Sequence, residues 1–362
     1  MKTPPGGMEH RPGRPRGRTR PGGGGAAGGL LLALLLAGCA TASRPAAEQR
    51  FEFTRPQMGV PFRLVLYARD EATASPAAEA AFARVADLNA TLSDYDPDSE
   101  LSRLGRTSGT GAWVPVSDDL WRMLAAGQRL SRETDGAFDV TVGPLVNLWR
   151  KARRERRLPA ERLLAEARSR VGWPQLELDP RRRAARLLVP DMRLDLGGIA
   201  KGYAVDEALK VLRAHGIRAA LVSGGGDLAV SDAPPGRPGW RIELPGPEEA
   251  AAAPGFVRLR RAALATSGDL FQFVEVGGVR YSHIVDPRTG LGLTNRSLVT
   301  VIARDCQTAD SLATALGVLG AERGRAPLRA ARAEAQVVGW RGGQTETWAT
   351  PGFDRWREET AD

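Results

Sequence analysis

Phe271-Gln272-Phe273-Val274-Glu275-Val276-Gly277-Gly278 alternates large apolar residues with polar ones and then stops on two glycines. Such a run reads as a strand, and a Gly-Gly pair behind it as the turn of a hairpin, which joins antiparallel neighbours. A sheet made of hairpins is not the all-parallel, doubly wound kind. Working outward, residues 62–67, 186–194, 219–222, 240–244 and 298–303 have the same β-rich character. Helical spacing appears in residues 76–92, through Ala81, Val85, Leu88 and Leu92. It recurs in residues 117–133, through Leu120, Met123, Leu124 and Leu130, behind a Ser117-Asp118 cap. Helices also fit residues 200–214, stopped at His215-Gly216, and 308–319, stopped at Gly320. Residues 150–157 form a charge run that reads as a solvated helix face, and residues 232–255, rich in Pro, Gly and Ala, as a loop insertion. Strands and helices do not alternate regularly and no repeat is present, so the fold class is α+β, with mixed or antiparallel sheets and packed helices.

The 362 residues carry a net charge of +9, which on its own suggests a nucleic-acid or membrane-surface binder. Its distribution says otherwise. Lys2, Arg11, Arg14, Arg16, Arg18 and Arg20, against Glu9 alone, crowd more than half of the excess into residues 1–38. An apolar run from Leu30 to Ala37 follows, too short to cross a hydrocarbon core ~30 Å thick, so the segment reads as a secretory signal with Met1 or Met8 as its start. No Arg-Arg pair precedes the apolar run, so a twin-arginine signal is not expected. Leu36-Ala37-Gly38-Cys39 resembles a bacterial lipobox, which implies cleavage before Cys39 and lipidation of its sulfur. The expected organisation is a leader over 1–38, a lipid-anchored tether over 39–50, one domain over 51–350 and a tail over 351–362. With the leader's charge set aside, nucleic acid drops out as a partner. Cys39 and Cys306 are the only cysteines, too few for a disulfide framework or a four-thiolate zinc site. Cys306 is expected as a buried small hydrophobe.

Four groups of residues bear on chemistry. Lys201 is one of four lysines among 51 basic residues, and it sits in Asp195-Leu196-Gly197-Gly198-Ile199-Ala200-Lys201-Gly202, where a helix begins. Two readings fit: a plain strand-to-helix turn with Lys201 solvated, or a backbone cradle for an anion with a lysine beside it. Neither the dinucleotide nor the Walker fingerprint is present. The second group, Ser223-Gly224-Gly225-Gly226-Asp227, is a turn or a ligand cradle, and Asp135-Gly136-Ala137-Phe138-Asp139 is a comparable small-residue segment. The third is His283 in Tyr281-Ser282-His283-Ile284-Val285-Asp286, where an imidazole could take a proton from an attacking hydroxyl or simply be bonded at a strand end. The fourth is Asp310 with Thr314, four residues apart on one helix face, a carboxylate and a hydroxyl suited to a hard cation such as Mg²⁺.

In this order, and together with Met58-Gly59, Ser93-Asp94-Tyr95, Ser99-Glu100-Leu101 and Thr266-Ser267-Gly268-Asp269, these segments resemble the ApbE family of FAD:protein FMN transferases. The resemblance implies an ApbE-like, T-fold-like flavin transferase fold. It implies an enzyme that cleaves FAD and places its FMN half on a Thr or Ser hydroxyl of a target protein, releasing AMP. By the same resemblance Met58, Tyr95, Gly136, Ala137, Phe138, Asp195, Lys201 and Ile284 contact FAD. Mg²⁺ lies against the Gly198 carbonyl, Asp310 and Thr314, and His283 serves as base or orienter of the acceptor hydroxyl. Val60 departs from the pattern, which places a small hydroxyl residue after Met-Gly. Partners implied are FAD, an acceptor flavoprotein such as a membrane redox-pump subunit, and a membrane reached through the lipid anchor. The implied place is the periplasm, with Ala40 after the lipidated cysteine favouring the outer membrane. Two other activities fit the same residues: an FAD pyrophosphatase that uses water as nucleophile, and a lipoprotein that binds FAD without chemistry.

Overall fold

Gln49–Gln57 (β1) and Val60–Ala68 (β2) pair antiparallel around a Met58-Gly59 turn, in a computed structural model that describes residues 47–246, 255–268, 272–341 and 344–358. Helix α1 (Glu71–Leu92) follows. It starts five residues before the expected 76–92, because Asp70 caps it by accepting from the Thr73 N–H at 2.8 Å and Pro76 lies inside the helix instead of opening it. After α2 (Glu100–Gly105) and the short β3 (Val114–Pro115), α3 (Asp118–Glu133) begins behind Ser117, as its pattern predicts. Then come α4 (Gly143–Glu155), α5 (Glu161–Arg168), β4 (Leu176–Asp179) and β5 (Ala184–Leu187). The strand expected over 186–194 ends at Leu187, since Pro190 and Asp191, at φ 59°, break the extended run. Helix α6 (Ala200–Ala214) occupies the expected residues and leads to β6 (Ala220–Gly224) and β7 (Asp227–Val230). Next are β8 (Trp240–Glu243), β9 (Phe256–Leu259), β10 (Ala262–Gly268), β11 (Phe273–Val276), β12 (Val279–Ser282) and β13 (Ser297–Ala303). Helix α7 (Cys306–Ala331), β14 (Glu334–Arg341) and β15 (Gln344–Ala349) complete the order.

Eight strands form one sheet in the order β1-β2-β6-β7-β10-β13-β14-β15, and every pairing in it is antiparallel. The α+β reading is therefore right. The Gly277-Gly278 turn joins β11 to β12 in the expected hairpin. Alternation along each strand gives the sheet two apolar faces. Leu64, Leu66, Val222, Val299 and Val301 point into the main core, where α6 packs against both α1 and α7. Val65, Leu221, Leu228, Leu264 and Ile302 point to the other side, where Trp240, Val257, Leu259 and Phe353 cover them. Within the segment expected as a loop insertion, the strand expected over 240–244 is β8, which forms a capping hairpin with β9, residues 247–254 lying outside the described part. The C-terminal segment set apart as a tail contributes Phe353, which is 0% exposed.

Gly320 ends regular helix where the sequence marks it, with φ 75° and ψ 170°, but helical backbone resumes beyond it to Ala331. A third, smaller core joins α4, α5 and the β11–β12 hairpin through Leu145, Trp149, Val274 and Val285. Trp149 Nε1 donates to the Gly290 carbonyl at 2.9 Å, which ties α4 to the loop after His283. Cys306 is fully buried, as expected. The leader, its lipobox and Cys39 lie outside the described residues.

Candidate active site

Helix α6 has no side-chain cap of its own, so the N–H groups of its first turn need partners from elsewhere. Asp310 of α7 supplies one: its Oδ2 accepts from Gly202 N at 3.0 Å. The arrangement is reciprocal. Asp206 of α6 accepts from the backbone N–H groups of Cys306 and Gln307, at 2.8 and 2.9 Å, in the first turn of α7. Each helix is thus held at its start by an aspartate of the other. Gly202 permits the approach, since a Cβ there would lie 2.3 Å from the Cys306 carbonyl oxygen. Burial pushes the Asp206 carboxyl up to about 7, against the two N–H groups that favour its charged form.

That packing sets the residues expected to handle phosphate and metal side by side. Lys201 Nζ pairs with Asp227 at the end of the β6–β7 turn and stands 3.7 Å from Asp310 Oδ1. Burial disfavours the ammonium, but the charges of Asp310 and Asp227 outweigh it and hold Lys201 above the usual lysine range. Asp227 is pushed up to about 7 by burial and by Asp310, with Lys201 pulling the other way. Gly198 abuts Thr314: a Cβ on Gly198 would lie 3.1 Å from Thr314 Oγ1 and 3.2 Å from the Phe138 ring. Gly198 thus lies against Thr314, which stands one turn from Asp310 on α7, so the carboxylate and the hydroxyl expected as metal ligands share a helix face beside the backbone of Gly198. This sparse set of hard oxygen donors fits Mg²⁺, which keeps waters and substrate phosphates as its other ligands. Among the described residues no cluster of three or more His, Cys, Asp or Glu side chains is built to hold a metal, so a cation here depends on that mixed set.

Of the remaining expected contacts, Phe138 and Ile284 lie against this centre. Gly136, Ala137 and Phe138 form a tight turn after α3, with Gly136 N donating to the Ser131 carbonyl at 2.8 Å and Ala137 and Phe138 buried. Ile284 is buried beside α7, where a Cβ on Gly317, one turn past Thr314, would lie 3.9 Å from Ile284 Cδ1. Met58 sits in the β1–β2 turn, whose next residue Val60 meets Gly225 in the turn that carries Asp227. His283 Nδ1 lies 3.1 Å from the Gln272 carbonyl. A carbonyl only accepts, so Nδ1 carries a proton and Nε2 is the basic nitrogen of the neutral ring.

Tyr95 and Asp195 are linked by a residue that the sequence reading placed in solvent. The charge run at 150–157 is largely exposed, but Arg150 is only 17% exposed. Its guanidinium pairs with Asp94, reaches Asp195 Oδ2 at 3.1 Å and lies 4.1 Å from the centre of the Tyr95 ring. Burial and the neighbouring Asp94 raise the Asp195 carboxyl to about 6, while Arg150 and the Gly197 N–H oppose them. Arg150 and Asp206 are the members of the site not singled out from sequence, and Asp94 and Asp227 were quoted only within their motifs. A signal for Arg150 existed: two motif carboxylates, Asp94 and Asp195, had no cation assigned to them.

The model of the ApbE family matches residues 58–338, which span every one of these groups. An FAD:protein FMN transferase of Vibrio cholerae is 34% identical over 298 residues, covering 81% of this chain and 87% of its own length. The Haemophilus influenzae FAD:protein FMN transferase is 35% identical over 245 residues, 66% of this chain and 70% of the relative. Among solved structures, the apo flavinyl transferase ApbE of Pseudomonas stutzeri superposes with a TM-score of 0.76 at 32% identity, over 86% of this chain and 97% of that one. The fold, the order of the segments and the matched length agree: the chain belongs to the ApbE family.

Proposed function

We propose that the protein is an FAD:protein FMN transferase that joins the FMN phosphate of FAD to a Thr or Ser hydroxyl of a target protein and releases AMP. The observation that carries the reading is Lys201, set at the start of α6 beside Asp310 and next to the Gly198–Thr314 contact. Phosphoryl-type transfer asks for positive charge on phosphate oxygens and an in-line hydroxyl, more than for covalent chemistry from the protein. The hydroxyl oxygen bonds to the FMN-side phosphorus, the bond from that phosphorus to the AMP oxygen breaks, and AMP leaves with the electron pair. Lys201, held charged by its two carboxylates, steadies the diphosphate. Mg²⁺ held by the Gly198 carbonyl, Asp310 and Thr314 would neutralise phosphate oxygens. His283, with Nδ1 bonded to Gln272, presents Nε2 as the atom that takes the hydroxyl proton. Tyr95, which is 75% exposed, and Phe138 offer flat surfaces to the ring system of FAD.

The lipobox supports export and lipidation at Cys39, and with it a periplasmic, membrane-anchored protein whose acceptor is an exported or membrane flavoprotein. No helix among the described residues is long and apolar enough to cross a membrane. The deciding experiment incubates purified protein with FAD and Mg²⁺, with and without a Thr-bearing acceptor domain. Acceptor-dependent AMP release, with flavin that stays on the acceptor after denaturation, is the expected result. Equal AMP release without acceptor identifies a pyrophosphatase, and no AMP identifies a carrier. Asp310→Ala should abolish turnover; an active variant would remove the metal assignment.

A further inference from the structure

Arg150 joins three parts of the chain that are far apart in sequence. It projects from α4, grips Asp94 in the loop after α1, reaches Asp195 at 3.1 Å ahead of α6, and stacks on Tyr95 at 4.1 Å. All three charged side chains are largely withdrawn from water, with exposures of 17% for Arg150, 17% for Asp94 and 9% for Asp195. Tyr95 is the opposite case. It is 75% exposed, on a loop, and the guanidinium is what holds its ring. A planar ligand stacking on Tyr95 therefore meets a surface whose tilt is fixed from α4. Arg150 is also the cation between two carboxylates. Removing it leaves Asp94 and Asp195 facing each other without a cation between them, beside residues read as contacts of a ligand that carries a negative diphosphate.

We propose that Arg150 is the positioning residue of the FAD site, holding Tyr95 and Asp195 in the single arrangement that receives FAD. The proposal rests on the reading of Tyr95 and Asp195 as FAD contacts. It makes Arg150 a determinant of FAD affinity and leaves the transfer step to the Lys201–Asp310 centre. A lysine keeps the charge but lacks the planar fork that serves two carboxylates and an aromatic face at once.

The test compares wild type, Arg150→Met and Arg150→Lys for FAD dissociation constant, by quenching of flavin fluorescence, and for KM and kcat with saturating acceptor. For Arg150→Met, KM and the dissociation constant for FAD should rise about tenfold or more with kcat changed less than about twofold, the signature of lost binding without lost transition-state contact. Arg150→Lys should recover part of the affinity. Wild-type affinity in Arg150→Met overturns the proposal. So does a parallel fall in kcat and melting temperature that lysine does not relieve, which marks a purely structural role. If wild type itself fails to bind FAD, the reading of the whole site falls, whatever the variants do.

Discussion

Substituting Gly202 by alanine tests the reciprocal capping of α6 and α7. The new Cβ would lie 2.3 Å from the Cys306 carbonyl oxygen, 2.6 Å from its carbon and 2.8 Å from Gln307 N. All three are backbone atoms, so no side chain can swing aside. Restoring a tolerable contact needs about 1 Å of separation between the helices. The 3.0 Å bond from Gly202 N to Asp310 then stretches to about 4 Å, beyond a hydrogen bond, and the bonds from Cys306 and Gln307 to Asp206 suffer likewise. Overpacking costs about 1–3 kcal/mol and each weakened buried hydrogen bond about 1 kcal/mol. A total of about 4–6 kcal/mol corresponds to a melting temperature lower by about 6–9 °C for a domain of this size. The same movement carries Asp310 away from Lys201, and about 1 Å of misplacement is worth on the order of 100-fold in turnover. The assay is thermal unfolding alongside AMP release at a temperature where both proteins stay folded. Gly105→Ala serves as control, since a Cβ there meets nothing within 4 Å. If Gly202→Ala kept its turnover despite a lowered melting temperature, helix spacing would not control the site. If it kept both, the close approach itself would be refuted.

Two further outcomes follow from burial. The folded-state pKa of Asp206, about 7, lies above its ordinary value of 3.8, so the folded chain holds a proton that the unfolded chain has released between roughly pH 4 and 7. Its contribution to stability therefore falls as pH rises through that window, by as much as ~4 kcal/mol, and the advantage of wild type over Asp206→Asn in urea unfolding should shrink over the same range. A gap that widens instead would mean that the first turn of α7 stabilises the carboxylate more than burial penalises it. Phe353→Ala should cost about 3–5 kcal/mol, because the ring is fully buried against the second face of the sheet. A loss below about 1 kcal/mol would show that the C-terminal segment is dispensable to that core.

How much was legible in the sequence depended on which force decides each element. Helix α6 was readable to the residue because Ala204, Val205, Ala208 and Leu212 repeat at helical spacing and Gly216 stops it. Helix α4 was legible only at its charged end, as a solvated helix face over 150–157, because its buried side is marked by few apolar residues, Leu145, Trp149 and Ala152 among them. Strands β1 and β15 escaped notice for a related reason: both are sheet edges, exposed along most of their length, so burial leaves little pattern on them. For the site, motif order placed Gly198, Lys201, Asp310 and Thr314 in one centre. Local spacing could not show that Arg150 turns inward, since that depends on Asp94 and Asp195, 56 and 45 residues away.

The partners that hold this domain together are often distant in the chain. Gly202 meets Asp310 across 108 residues, Arg84 meets Glu207 across 123, and Trp149 meets Gly290 across 141. Each contact must wait for its later partner to be made, the Gly202–Asp310 bond for α7 itself, and their loop-closure entropy makes such a topology slow to assemble. A chain caught in synthesis before α7 therefore lacks Asp310 and Thr314, and with them the bond that holds the start of α6. If flavin binds where proposed, it shelters from proteolysis only chains that have completed α7.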